Sequence, residues 1–275
     1  MGDGPSGSVL RPRKELGIMR KVLLSVFLVI VSCSSCLAET VTVPLTADGL
    51  AIMADAYRFF VVLDGSKESP LRYIYADVAA HLHAYVVKDG RSELEWETAS
   101  LGSAVTALIL KDVDANGTKD IMVSTARGRI IVYDSVSFER IHENFLERFE
   151  TISCMTTANL DNDPQEEVIF IAERKLNIYD GKSRALEWRS QAEFQATELL
   201  VGNVDDDPQP EIILNTGEIV DSRFYTIEPS KLESGVFGFR IRLFDMNGDG
   251  HPEIVGDTPG FSLRIYDVYA QREIW

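Results

Sequence analysis

The chain has 275 residues, 45% of them apolar, and its 43 acidic against 27 basic residues give a formal charge of −16. That length suits one large domain or two small ones with an ordinary core, and the composition is not that of a disordered chain. So acidic a protein offers no phosphate-tracking surface, which argues against nucleic acid as a partner.

Residues 1–38 read as an export leader: Arg20 and Lys21 precede an apolar run from Val22 to Val31, followed by small residues and a Cys-Leu-Ala ending at Ala38. The run is shorter than the roughly 20 apolar residues a bilayer span needs. Met19 is an alternative start, which would make residues 1–18 an upstream extension or a basic n-region. Within the leader, "IVSC" (Ile30 to Cys33) resembles a bacterial lipobox, implying a lipidated Cys33 and membrane attachment. Ordinary cleavage after Ala38 is the other reading. Either way the expected location is outside the cytoplasm: periplasmic, anchored to the outer membrane, or extracellular. "CSSC" fits a redox C-x-x-C, but it lacks the strand-then-helix context of such a site. Cys154, in the apolar run "TISCMTT", is expected to be a buried structural thiol, and no disulfide framework is available.

Residues 39–275 are organised by a repeat. "DVDANGTKDI" at 112, "NLDNDPQEEV" at 159, "NVDDDPQPEI" at 203 and "DMNGDGHPEI" at 245 share one register. Tyr133, Tyr179, Tyr225 and Tyr266 follow in phase, three of them in the strand endings "IIVYD", "LNIYD" and "LRIYD". Projecting the phase back from Tyr85 places a first, degenerate loop near Asp64, so five units are expected, with loops starting near 64, 112, 159, 203 and 245. Regular self-similarity at this period marks stacked or radially arranged units. Each unit reads as four short Val/Ile/Phe/Tyr-rich strands separated by glycines and Asp-Gly pairs, and no long amphipathic helical stripe is present. The expected fold is therefore all-β, a β-propeller of about five four-stranded blades, with an open β-repeat arc as the alternative. "TVTVPLT" (residues 40–46) is a candidate ring-closing strand. Trp96, Trp188 and Trp275, one per unit, are expected to pack between neighbouring blades.

The loops are rich in hard oxygen donors. The loop at 112 offers Asp112, Asp114, Asn116 and Asp120, and the loop at 245 offers Asp245, Asn247, Asp249 and Glu253. Asn159, Asp161, Asp163 and Glu167 form the third set, and Asn203, Asp205, Asp207 and Glu211 the fourth. Calcium prefers six to eight such oxygens, so Ca²⁺ is the expected ion. Gly117 and Gly250 supply backbone freedom at the sixth position, where Pro164 and Pro208 stand in the other two loops and imply a different backbone path. An EF-hand would need a bidentate Glu at position 12, which here is Val123 or Gly256. The four nine-residue segments carry 14 acidic residues and one lysine, a concentration that a divalent ion would relieve. An acidic, solvated hairpin turn without an ion is the alternative.

These loops resemble the D-x-D-x-D-G-x-x-[DE] loops of FG-GAP and VCBS-type repeats, as in integrin α-subunit propellers, over residues 56 to 275. The resemblance implies calcium between the first two strands of a blade and a protein- or carbohydrate-binding scaffold at the cell envelope. The Phe-Gly and Gly-Ala-Pro landmarks of that family are not clearly present. "DGRSELEW" and "DGKSRALEW" also resemble quinoprotein-type propeller repeats, which would imply an envelope assembly factor. G-x-S-x-G, H-E-x-x-H and P-loop patterns are absent, so no catalytic residue is named. A propeller-based polysaccharide lyase or esterase with calcium near its substrate is the competing function. His81 and His83 alternate on one strand face and are expected to serve a surface or packing role.

Overall fold

The computed structural model describes residues 46–63, 70–161, 163–228, 237–260 and 262–274. The leader with Cys33, the proposed closing strand before Thr46, the loop start at Asp64, and Trp275 lie outside them. Twenty strands form five antiparallel sheets, each a four-stranded meander. Blade 1 contains β1 (Phe60–Leu63), β2 (Arg72–Ala76), β3 (Leu82–Lys88) and β4 (Arg91–Glu97). Blade 2 contains β5 (Val105–Lys111), β6 (Asp120–Thr125), β7 (Ile130–Asp134) and β8 (Arg140–Glu143). Blade 3 contains β9 (Ile152–Ala158), β10 (Glu167–Ala172), β11 (Lys175–Asp180) and β12 (Leu186–Arg189). Blade 4 contains β13 (Leu199–Gly202), β14 (Glu211–Leu214), β15 (Ile219–Asp221) and β16 (Thr226–Glu228). Blade 5 contains β17 (Ile241–Phe244), β18 (Glu253–Asp257), β19 (Leu263–Asp267) and β20 (Arg272–Glu273).

The second strands explain why the blades stack. Every residue of β6 ("DIMVST") and β10 ("EVIFIA") is buried, because both faces of these strands are covered by neighbouring blades. Period-two alternation divides each blade between two cores. Ile121, Val123, Ile131 and Tyr133 of blade 2 join the core shared with blade 1. Met122, Ile130 and Val132 face the other way, toward Val168, Phe170 and Tyr179 of blade 3. Ile169, Ile171, Leu176 and Ile178 then form the core with blade 4. The outer strands β8 and β12 are half exposed and polar.

Two tryptophans lock consecutive blades as expected. Trp96 meets Tyr133 at 5.1 Å and stacks on Phe138 at 5.0 Å, and Trp188 stacks on Tyr225 at 4.8 Å. Tyr225 departs from the repeat, since it lies in the β15–β16 turn at a φ of 52° rather than in a strand. The third strand of blade 4 ends at Asp221, so the hairpin bends early and the ring reaches Trp188 from the turn.

Among the described residues one helix, α1 (Ala47–Ala56), was not expected. Thr46 caps it by accepting the Gly49 N–H, and Leu50 is buried. Just after it, the Arg58 guanidinium donates to the Thr197 carbonyl at 2.7 Å, joining the entries to blades 1 and 4. Blades that are not neighbours in sequence thus meet, and the array curls around a common axis.

Phe170 is fully buried between Phe149 at 5.1 Å, Tyr179 at 5.5 Å and Phe145 at 6.1 Å. Phe170→Ala is expected to destabilise the fold by about 3–5 kcal/mol, read as a lower urea midpoint with an unchanged m-value.

Candidate metal centres

The four acidic loops lie between the first and second strands of blades 2 to 5, and so at one end of the molecule. In each, the ninth residue is the first residue of the second strand: Asp120, Glu167, Glu211 and Glu253 are 5, 0, 2 and 1% exposed. A carboxylate so buried must be paired. One oxygen turns back to the loop's second residue: Leu160 N–H donates to Glu167 Oε2 at 2.5 Å, Val204 N–H to Glu211 Oε2 at 2.8 Å, and Met246 N–H to Glu253 Oε2 at 2.6 Å. The other oxygens of Glu167 and Glu211 are buried without a hydrogen-bond partner.

The third and fifth residues repeat a second device. Each uses one side-chain oxygen to accept the N–H two residues on, an Asx turn; the second atom is taken up within the loop at Asp163, by the Gln165 amide, and at Asn247 and Asp249, where the Asn247 amide donates to Asp249 Oδ2 and Glu253 Oε1. Asp114, Asp161, Asp205 and Asn247 do this at the third position, with distances of 2.7 to 3.1 Å. Asn116, Asp163, Asp207 and Asp249 do it at the fifth.

The first position separates the loops into two classes. In the glycine loops the carboxylate accepts backbone N–H groups: Asp112 from Asn116 and Gly117, and Asp245 from Gly248 and Gly250. Gly117 and Gly250 have φ of 91° and 96°, a conformation that favours glycine. Pro164 and Pro208 have no N–H to give. There the polarity reverses: Asn159 donates its amide to the carbonyls of Asp163, at 2.6 Å, and Gln165, and Asn203 donates to Asp207 O. Asn and Pro are thus a matched pair, as are Asp and Gly. The amide nitrogens of Asn159 and Asn203 are committed to the loop, which leaves only their oxygens as donors toward an ion.

The carboxylates gather unequally. Ligand oxygens of Asp161, Asp163 and Glu167 lie within 4.8 Å of one another, as do those of Asp205, Asp207 and Glu211, and those of Asp249, Glu253 and Asp267. A sphere of about 2.4 Å radius, the calcium–oxygen distance, passes through atoms so spaced. Donor chemistry and spacing therefore fit calcium. Asp112, Asp114 and Asp120 do not close to this distance, because both Asp112 oxygens are occupied by N–H groups and Asp120 is one methylene shorter than glutamate. Asp267 was missed from sequence, as was Asp180, which groups with Glu167 and Glu187. The recurrent "YD" strand ending was the available signal: Asp134 and Asp180 sit directly across the ladder from Asp120 and Glu167, as Asp221, which follows a valine instead, does from Glu211.

Burial, reinforced by Asp114, raises the Asp120 carboxyl to about 6. Burial, together with Asp161 for Glu167 and with Asp205 and Asp207 for Glu211, raises both glutamates to about 7 despite their backbone hydrogen bonds. Cys154, on β9, is buried, which pushes its thiol up to about 12.

No family model matches the chain, and no curated protein matches it in sequence. The lead-soaked crystal structure of BBS1N in complex with ARL6DN superposes with a TM-score of 0.60 at 12% identity, covering 79% of this chain and 67% of that one. The mercury-soaked form of the same complex gives 0.54 at 11%, covering 79% and 64%. BBS1N is a β-propeller domain. The fold is a β-propeller. The propeller described here spans about two thirds of the BBS1N chain.

Two outcomes follow for the loops. In EGTA, Asn159→Asp should destabilise the propeller by about 1–3 kcal/mol, because a carboxylate would face two carbonyls, and adding Pro164→Gly should recover most of that loss in a double-mutant cycle. The raised carboxyls hold protons in the fold that the unfolded chain releases near pH 4 to 4.5. Metal-free stability should therefore fall as pH rises from about 4.5 to 7, the reverse of a salt-bridged carboxylate, and saturating calcium should abolish the fall in thermal midpoint.

Proposed function

We propose that this protein is a non-enzymatic, calcium-stabilised propeller that presents a binding surface, in the manner of the FG-GAP and VCBS-type repeats its loops resemble. The observation that carries the reading is the pair of buried, unpartnered oxygens, Glu167 Oε1 and Glu211 Oε1, each beside two aspartates of its own loop. Leaving a buried charged oxygen unpaired costs several kcal/mol, and a divalent cation is the partner that also relieves the repulsion among its neighbours.

In this reading the loops rigidify one end and the other end binds. That far end is built from the β2–β3 type turns and the connections between blades, and it carries exposed Val78, Leu146 and Phe239. It also holds a cleft of about 390 Å³ between blades 3 and 4, lined by Ser153, Arg174, Phe194 and Thr197 among others. A protein ligand is favoured over a glycan. BBS1N, the propeller with a similar fold, was crystallised in complex with ARL6DN. The leader and the lipobox-like Cys33 support export, with the propeller held at the cell envelope where calcium is plentiful.

Extracellular calcium modules bind at about 10⁻⁴ to 10⁻³ M, so about 10 mM calcium should stabilise by roughly 2.7 kcal/mol per tight site. For a chain of this size the thermal midpoint should rise by roughly 5–10 °C over EGTA. Glu167→Gln and Glu211→Gln should each reduce both the rise and the ⁴⁵Ca retained in equilibrium dialysis. No retained isotope at millimolar calcium would overturn the metal assignment, and calcium-dependent turnover of uronic-acid polymers would overturn the binding role.

A further inference from the structure

Among the described residues, blade 1 shows no acidic cluster of the kind just described, yet it gathers Asp77, His81 and His83 around the β2–β3 turn. Since strands alternate in direction, this turn lies at the opposite end of the molecule from the calcium loops. Asp77 Oδ2 is 3.1 Å from His81 Nδ1 and 3.2 Å from His83 Nε2. Those separations match the edge of a tetrahedron of zinc ligands, roughly 3.3 Å for bonds of 2.0–2.1 Å. We propose that Asp77, His81 and His83 form a binding site for a first-row divalent transition metal of the zinc class, with one position left open to solvent or a partner's ligand.

The supports around the triad are those a metal site requires. Asp77 Oδ1 accepts the N–H groups of Ala79 and His81, both at 2.9 Å, which fixes the carboxylate and aims Oδ2 at the imidazoles. His83 stacks on Tyr75 at 5.0 Å, the end of a ladder that continues through Tyr85 and Tyr73 to Phe60, so its ring is held in place. Its other nitrogen, Nδ1, faces Glu97 Oε2 at 3.8 Å. A carboxylate behind a ligating imidazole orients the ring and raises its basicity. The side chains of Asp77, His81 and His83 are 28, 29 and 15% exposed, so an ion has access.

Two imidazoles with one carboxylate select against calcium, which takes oxygen, and toward zinc and its first-row neighbours. The site therefore stands apart from the acidic loops in both place and chemistry, and it does not depend on their binding calcium.

The test is calorimetric titration of the full chain with zinc in excess calcium, paired with cobalt titration to read ligand-field absorption. One equivalent of zinc and the visible spectrum of tetrahedral cobalt are expected. Asp77→Asn and the His81→Asn/His83→Asn double variant should each lose that equivalent while keeping the parent protein's cooperative thermal unfolding in EGTA, which shows that they fold. Glu97→Gln should keep the stoichiometry and weaken zinc about 10-fold. Zinc uptake unchanged in both ligand variants, or no zinc-specific uptake by the parent protein, would overturn the assignment.

Discussion

The structure depends on a carboxylate placed where a carboxylate is expensive. At the start of the second strand of four blades, an acid is buried between loop and ladder with one oxygen tied to the backbone N–H of the loop's second residue. That bond closes the loop over the strand it precedes and so fixes the register in which β10, β14 and β18 enter their sheets. A hydrophobic residue there would bury more cheaply but could not hold the turn. The second oxygen is what remains to be satisfied, and in blades 3 and 4 nothing among the described residues satisfies it. On the calcium reading proposed above, folding and cation affinity would be two consequences of one placement.

Contacts between loops spread that consequence around the molecule. Glu166 N–H donates to Val113 O at 3.0 Å, and Lys111 pairs with the Glu166 carboxylate, tying the loop of blade 3 to that of blade 2. Gly181 N–H in turn donates to Glu166 O, and a Cβ at Gly181 would lie 2.4 Å from that oxygen, so the hairpin of blade 3 closes over the junction only with glycine there. His251 reaches Asp206 at 3.3 Å, joining blades 5 and 4. Ordering one loop thus orders its neighbour, and the stacked cores carry the effect inward because each blade shares its two faces with the next.

Much of this could be read before any coordinates, and the reason is periodicity. The repeated loops gave the number and phase of the blades, and the recurrent tryptophans gave two contacts between them, because each unit solves the same packing problem. What could not be read belongs to single units. Helix α1 is ten residues long and Ala-rich, so it owes its existence to the Thr46 cap and to Leu50 rather than to a periodic stripe. Tyr225 kept its sequence phase but not its place, since a hairpin that bends early moves every later side chain. Asp180 and Asp267 were overlooked because the tyrosine beside them drew the attention of the pattern, whereas the ladder sets the aspartate of the YD ending, not the tyrosine, beside the buried acid.

The pairing of Asn with Pro and of Asp with Gly shows how one loop function survives two incompatible backbones. Proline at the sixth position limits the unfolded chain and so favours a preformed turn, but it removes the donor that a first-position aspartate requires. Asparagine restores the bond by reversing its direction. The exchange has an electrostatic consequence: in the proline loops the first residue is neutral and the remaining carboxylates of positions 3, 5 and 9 converge, whereas in the loop at 112 the first carboxylate is absorbed by the backbone and the acids stay apart. The loops that look weakest by their departure from the D-x-D-x-D-G pattern are the ones in which the acids are already assembled. A cation would have less chain to order there, and more repulsion to relieve, than in the loop at 112, although that loop keeps the pattern.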